Sequence, residues 1–375
     1  MKITAVRFIQ GGSPIPEGGF WPAWWPGQPL YEIGYSIVVI ETDEGLTGFG
    51  PGGVRTGKHG WSSEPFVREK VLGADPTEIG VLVGAPEYVP IQKPAPLTIE
   101  HALWDLLGKR AGLPVYKLLG GYRGQVPAYC STGSTLSPQA QVDQAWDAYK
   151  RGYRAIKLRL HRAKLEDDLA AVRAVRDALP EDMAIMADAN QAQNPYWSRN
   201  TALRCAQALQ EMGVLWLEEP LPVYDDEGLR ELRSKVEIPI AGAENQHRLY
   251  AFRQCIERGQ YDILQPDLNG CGGLLEWTRI AALANAYLLS CIPHVWGNGL
   301  VLACSLHAIG AAPNAPWAEC TDDVLWPADI RDRLLTQPHQ IEEGIIQIPQ
   351  GPGWGVELDW EYVEANASVD TRVEL

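Results

Sequence analysis

The chain has 375 residues, of which 46% are apolar and 21% charged. That balance excludes general disorder and points to two domains, or to one large barrel with an addition. With 32 basic and 47 acidic residues its net charge is −15, which excludes the basic stripe of a nucleic-acid surface. No run approaches about 18 apolar residues, so no membrane span is expected. The start MKITAVRFIQ lacks the apolar stretch of a secretory signal.

KITAVRFIQ and YEIGYSIVVIETDEG read as strands, the second ending in a turn at Asp43-Glu44-Gly45. Between them, residues 12 to 30 form a Pro/Gly/Trp-rich loop that carries Trp21, Trp24 and Trp25. A long aromatic loop of this kind is read as functional, and Trp24 or Trp25 is expected to fold over a site as a lid. A second loop, GVRTGKHGW, offers Arg55, Lys58 and His59 to the far end of an acidic substrate. Residues 66 to 120 read as helical, with apolar residues recurring at three and four in LTIEHALWDLLGKRAG. GGYRG then marks a domain boundary.

From about residue 126, short apolar runs alternate with amphipathic stretches. The expected strands are VPAYCS, AIKLRL, MAIMAD, VLWLEE, IPIAGAE, DILQPD, LLSCIPH and PWAEC. Eight strands with crossover helices predict a closed parallel barrel in an α/β chain. A doubly wound sheet would want a GxGxxG turn, which is absent. The seven cysteines are odd in number, widely spaced and free of CxxC, so they read as reduced, buried thiols of a cytoplasmic protein.

Polar residues close these strands at a near-constant interval. Asp188, Glu218, Glu244, Asp267, His294 and Glu319 are separated by 30, 26, 23, 27 and 25 residues, and Lys157 and Arg159 stand one strand earlier. The interval is one βα unit, so each residue falls at a carboxyl strand end, where a barrel places its active site. Asp188, Glu218 and Glu244 would repel one another without a cation, and an all-oxygen set suits Mg²⁺. Glu218 and Glu219 are adjacent and should point to opposite sides, so only one faces the ion, and spacing does not choose. Lys157 and Arg159 share a side and would hold a substrate carboxylate. Asp267 would orient His294 as a general base. His101 and His307 lie in helical patterns and read as structural, and His247 is a candidate acid for the second face of the substrate.

AIKLRL, MADAN, WLEEP, GAEN, LQPDLNGCGG, IPHVWGNG, WAEC and the tail PQGPGWGVELD together resemble the enolase superfamily, mandelate racemase subgroup. The resemblance implies a modified (β/α)7β TIM-type barrel over 126–325. It implies an α+β capping domain over 1–125, with 326–375 returning to that cap. It implies Mg²⁺ on Asp188, Glu218 and Glu244, an Asp267–His294 dyad, and Glu319 on a substrate carboxylate oxygen. Asn190, Trp25, Trp296, Arg55 and His59 would contact a small-molecule carboxylate, an aldonic or aldaric acid or its lactone. A homo-oligomer is also implied.

The chemistry implied is removal of the proton alpha to a carboxylate with enediolate stabilisation. The racemases of the family resemble Lys-x-Lys where this chain has Lys157-x-Arg159. Arginine is a poor base, so a one-base β-elimination is expected, as in acid-sugar dehydratases and lactone cycloisomerases. A racemase with another second base and a barrel that binds without catalysis are the alternatives.

Overall fold

The computed structural model describes residues 1–16, 18–52, 64–83, 97–192 and 197–375. Strands β1 (Ile3–Pro14), β2 (Glu32–Thr42) and β3 (Thr47–Pro51) form an antiparallel meander. Gly45 turns the chain between β2 and β3 at φ 78°, a left-handed conformation that glycine adopts without strain. The helix Leu97–Ala111 packs across this sheet. Its Ile99, Ala102, Leu103 and Leu106 lie three and four apart and bury against Val6, Phe8, Val38 and Ile40. At the far end of the chain β14 (Ala367–Glu374) pairs antiparallel with β1, so the tail closes the sheet.

Eight parallel strands make the second body: β4 (Gln125–Ser131), β5 (Ala155–Arg159), β6 (Ala184–Asp188), β7 (Leu217–Glu218), β8 (Ile240–Gly242), β9 (Ile263–Leu264), β10 (Ser290–Cys291) and β11 (Ala318–Thr321). From β4 to β10 they pair in chain order, and β11 returns to β4 with Ala318 opposite Ala128. Major helices at 138–150, 165–178, 199–211, 226–235, 248–258, 274–286 and 299–311 cross between successive strands. This is the expected (β/α)7β barrel. The hairpin of β12 (Ile341–Glu342) and β13 (Ile345–Gln347) pairs with the foot of β4, so part of the last fifty residues lies on the barrel.

The lumen is layered by the two-residue strand period. Tyr129, Ala155, Met186, Trp216, Ala241, Ile263 and Ile292 form an apolar floor. Two residues further along their strands, on the same face, stand Ser131, Lys157, Asp188, Glu218, Gln265 and His294. Polarity therefore changes within one step, at the carboxyl ends. All seven cysteines are buried and free, and no described helix is long and apolar enough to cross a membrane.

Candidate active site

At the carboxyl mouth lies a cavity of about 240 Å³, lined by Trp24, Trp25, Arg159, Asn190, Glu219, Glu244, Asn245, His294 and Trp296. Beneath it Lys157 is fully buried. Its Nζ lies 2.7 Å from Glu218, 2.7 Å from Glu319 and 3.7 Å from Asp188. Burial opposes its charge, but Glu218 and Glu319 outweigh that and hold the ammonium above its ordinary value. Glu319 in turn is depressed to about 2: burial would raise it, but Lys157 and His294 prevail. Glu319 Oε2 accepts from Val295 N at 2.8 Å, and its Oε1 accepts from Ser131 Oγ at 2.7 Å.

Arg159 ends β5 and is equally buried. Its guanidinium pairs with Asp188. It donates to Thr132 O at 2.5 Å, Asn190 Oδ1 at 3.2 Å and Ser131 Oγ at 3.4 Å. Burial works against its charge, yet Asp188 and Glu218 keep it raised. A group so held is no base.

Across the mouth, Asp267 divides its carboxylate. Oδ1 caps the turn Leu268–Cys271 by accepting from Gly270 N at 2.8 Å, and Oδ2 lies 2.9 Å from His294 Nδ1. A carboxylate accepts, so Nδ1 carries the proton and Nε2 is left toward the cavity, 3.3 Å from Glu244. Burial lowers the imidazolium, but Glu244 and Asp267 raise it to about 10.

The adjacent pair Glu218–Glu219 departs from simple strand alternation. Glu218 turns into the lumen and accepts from Gln265 Nε2 at 2.8 Å and Trp216 Nε1 at 3.3 Å. Glu219 lines the cavity instead. Its φ of 44° bends the chain over the rim, so both carboxyls reach the mouth region at different depths. Asn190 (φ 43°) and Ala243 (φ 78°) do the same beside Asp188 and Glu244. Three consecutive strand ends thus carry non-glycine residues in a disfavoured conformation, as functional rims do.

The donor chemistry fits a divalent cation. Asp188, Glu218, Glu219, Glu244, Asp267 and Glu319 face two permanent cations, Lys157 and Arg159. Burial and then Glu218 push Asp188 up to about 7, and burial and then Glu244 push Glu219 well above the carboxylate range. Oxygen-only donors in such excess suit a hard ion. As they stand, no three such side chains among the described residues converge on one point.

Of the other expectations, Trp25, Trp296 and Asn190 line the cavity. Arg55, Lys58 and His59 lie outside the described residues. His247 is exposed, with Nδ1 2.8 Å from Gly270 O, and does not line the cavity. His101 and His307 are buried and do not line the cavity. The sequence reading overlooked Gln265 and Asn245. Gln265 stands two before Asp267 and so on the same strand face, a signal that was available.

Residues 140–363 match the enolase C-terminal domain-like family, and residues 30–120 match the N-terminal domain of the mandelate racemase / muconate lactonizing enzyme family. The D-galactarolactone cycloisomerase of Agrobacterium fabrum is 34% identical over 272 residues, covering 70% of each chain. The arabinonate dehydratase of Saccharolobus solfataricus is 33% identical over 262 residues, covering 68% of each. The L-talarate dehydratase of Polaromonas sp. JS666, solved with Mg and L-glucarate, superposes with a TM-score of 0.82 at 29% identity, over 100% of this chain and 99% of that one.

Proposed function

Because this chain belongs to the mandelate racemase / muconate lactonizing enzyme family of the enolase superfamily, as a lyase or isomerase, we propose that it removes the proton alpha to the carboxylate of an acid sugar or its lactone and expels a β-oxygen. The observation that carries this reading is the asymmetry of the mouth. Among the described residues one imidazole, His294, lines the mouth and is oriented by Asp267, and facing the same cavity stands an arginine locked by Thr132, Asp188 and Asn190.

With the Glu244 charge engaged by a bound Mg²⁺, His294 would lose the main partner that holds it protonated, leaving Nε2 free to take the proton while Asp267 holds Nδ1; the imidazolium that forms then gives the proton to the departing β-oxygen. Lys157 and Arg159 place positive charge beside the substrate carboxylate, and Glu319 holds Lys157 in register. Asp188, Glu218 and Glu244 would hold Mg²⁺, with Glu219 as the further carboxylate at the rim. A bound Mg²⁺ would offset the negative charge that grows on the substrate oxygens as the proton leaves. Trp25 and Trp296 exclude water from the pocket. With no base on the Arg159 side among the described residues, the proton is not returned to the opposite face. Elimination then competes better than racemisation. The relatives' named substrates, galactarolactone and arabinonate, are polyhydroxy carboxylates or lactones, and they support this class.

The test is proton NMR in D₂O with Mg²⁺ and a panel of aldonic acids, aldaric acids and their lactones. A deoxy-keto acid or a ring-opened unsaturated product is the expected result. Deuterium at the α-carbon of an otherwise intact substrate would overturn the one-base reading in favour of epimerisation. Removing divalent ions with a chelator should abolish turnover, and Mg²⁺ should raise Tm in a concentration-dependent way.

A further inference from the structure

Arg159 is enclosed by aromatic rings as well as by oxygen acceptors. Its guanidinium carbon lies 5.1 Å from the ring of Trp24 and 5.3 Å from that of Trp296. Trp24 comes from the segment between β1 and β2, and Trp296 from the barrel. The two indoles meet edge to face at 4.8 Å. Behind them Phe20 stacks on Trp296 at 5.7 Å, and Trp326 closes on Phe20 at 5.3 Å. The segment folds on itself through Phe20 and Leu30, whose amides each donate to the other's carbonyl at 2.7 and 2.8 Å. One backbone bond carries it to the barrel, from Ala23 N to Gly133 O at 2.9 Å. Gly133 is the seat of this contact, since a Cβ there would lie 2.5 Å from both Phe20 and Trp296.

Apolar burial accounts for Phe20 and Trp326, which are almost wholly enclosed. It accounts less well for Trp24, which is half-buried and forms part of the cavity wall. Its π face is negative, and among the cavity-lining residues Glu219 and Glu244 would repel it. Arg159 is the permanent cation among them, and it lies within reach of both indoles. A planar guanidinium can present its faces to rings while its edge donates to Thr132, Asp188 and Asn190, whereas an ammonium cannot do both.

We infer that Arg159 is a positioning residue that latches Trp24, and with it residues 18–30, onto the barrel mouth, so that the upper wall of the cavity is set before substrate arrives. The inference rests on the proposed role of Arg159 as a fixed cation in place of a base. It predicts that the loop and the strand end behave as one unit.

The experiment is hydrogen exchange read by mass spectrometry on the ligand-free protein, so it needs no substrate and stands apart from the reaction assignment. Arg159→Lys and Trp24→Ala should each speed exchange in the peptide covering 18–30 by about tenfold. The double variant should exchange no faster than the faster single one, because both changes open the same contact. Peptides from β5, β6 and β9 should keep wild-type protection. Wild-type exchange of 18–30 in Arg159→Lys, or a double variant whose effect is the product of the two, would overturn the inference. If Arg159→Lys loosens the barrel peptides as well, the Trp24 variants decide: Trp24→Phe, which keeps a π face, must protect the segment better than Trp24→Ala, and equal loosening overturns the latch. Once a substrate is in hand, Trp24→Ala should raise KM about tenfold with a much smaller change in kcat. A fall in kcat alone would contradict a wall role.

Discussion

In the proposed reaction His294 is the residue on which the chemistry turns. Replacing it by Asn removes the only described imidazole in the cavity wall, and formation of the elimination product should fall by about 10³-fold or more, while binding of an acid sugar persists by calorimetry. Asp267→Asn leaves the ring in place but offers a donor where Nδ1–H needs an acceptor. Turnover should drop by about 10²-fold, with KM little changed. Arg159→Lys asks a different question. If the absent base is what prevents racemisation, the lysine variant should put deuterium into the α-position of the substrate in D₂O, whereas the wild type should not. At this scale the sequence was informative about type and position. Asp188, Asp267, His294 and Glu319 could be placed because each closes a short apolar run at a repeating interval, in or just beyond the regular strand. The direction of Glu219 could not be placed that way. Alternation assumes extended backbone, and a φ of 44° at the rim breaks it. Nor did spacing show that Lys157 would sit between Glu218 and Glu319, since that contact joins three separate strands.

Among the elements, the helix Leu97–Ala111 carries a join that no pattern announced. Asp105 is buried in that helix and accepts from Phe49 N of β3 and from Trp354 N of the C-terminal segment, each at 2.9 Å. Lys109 pairs with it at 2.6 Å. Gly353, at φ 72°, brings its backbone so close that a Cβ would lie 2.0 Å from Asp105 Oδ1. Asp105→Ala would strand two buried amides, and the expected loss is about 3 kcal/mol of stability by urea denaturation. Asp105→Asn keeps one acceptor and should lose about half as much. The barrel strands were legible as elements because a buried parallel strand is a short apolar run. Their lengths were not: β7, β9 and β10 hold only two residues each in regular pairing. Apolar runs there continue past the ladder into the rim turns that carry the polar groups.

At the scale of the whole molecule, a charge of −15 opposes the approach of an anion, so attraction is local, from Lys157, Arg159 and the proposed ion. Acid should destabilise the fold through buried neutral imidazoles. His307 accepts from Tyr116 N at Nδ1, at 3.1 Å, and reaches Trp354 O from Nε2 at 2.9 Å, so its tautomer is fixed with no acceptor for a second proton. Burial holds it down to about 4, against 6.5 for a free imidazole. Below pH 6.5 the unfolded chain takes up a proton that the folded chain refuses until about 4. Stability is therefore full above 6.5 and is lost as pH falls through that window. His307→Gln, which can keep both bonds but does not titrate, should shrink the loss between pH 7 and 4.5 by about 2 kcal/mol. The overall architecture was readable because it repeats. The aromatic contacts over the mouth were not, because Phe20, Trp24, Trp296 and Trp326 meet only after the barrel has closed.

That closure has a cost in time. The pairing of Ala128 with Ala318 joins parts of the chain that are synthesised far apart. At about 5–20 residues per second, β4 waits on the order of 10–40 s for its neighbour β11 to be made. Through that interval the nascent chain carries an unpaired, apolar strand edge, the kind of surface that templates misassembly. High contact order slows the final step further. The seam that completes the active-site mouth is thus also where the growing chain most needs shielding from its neighbours.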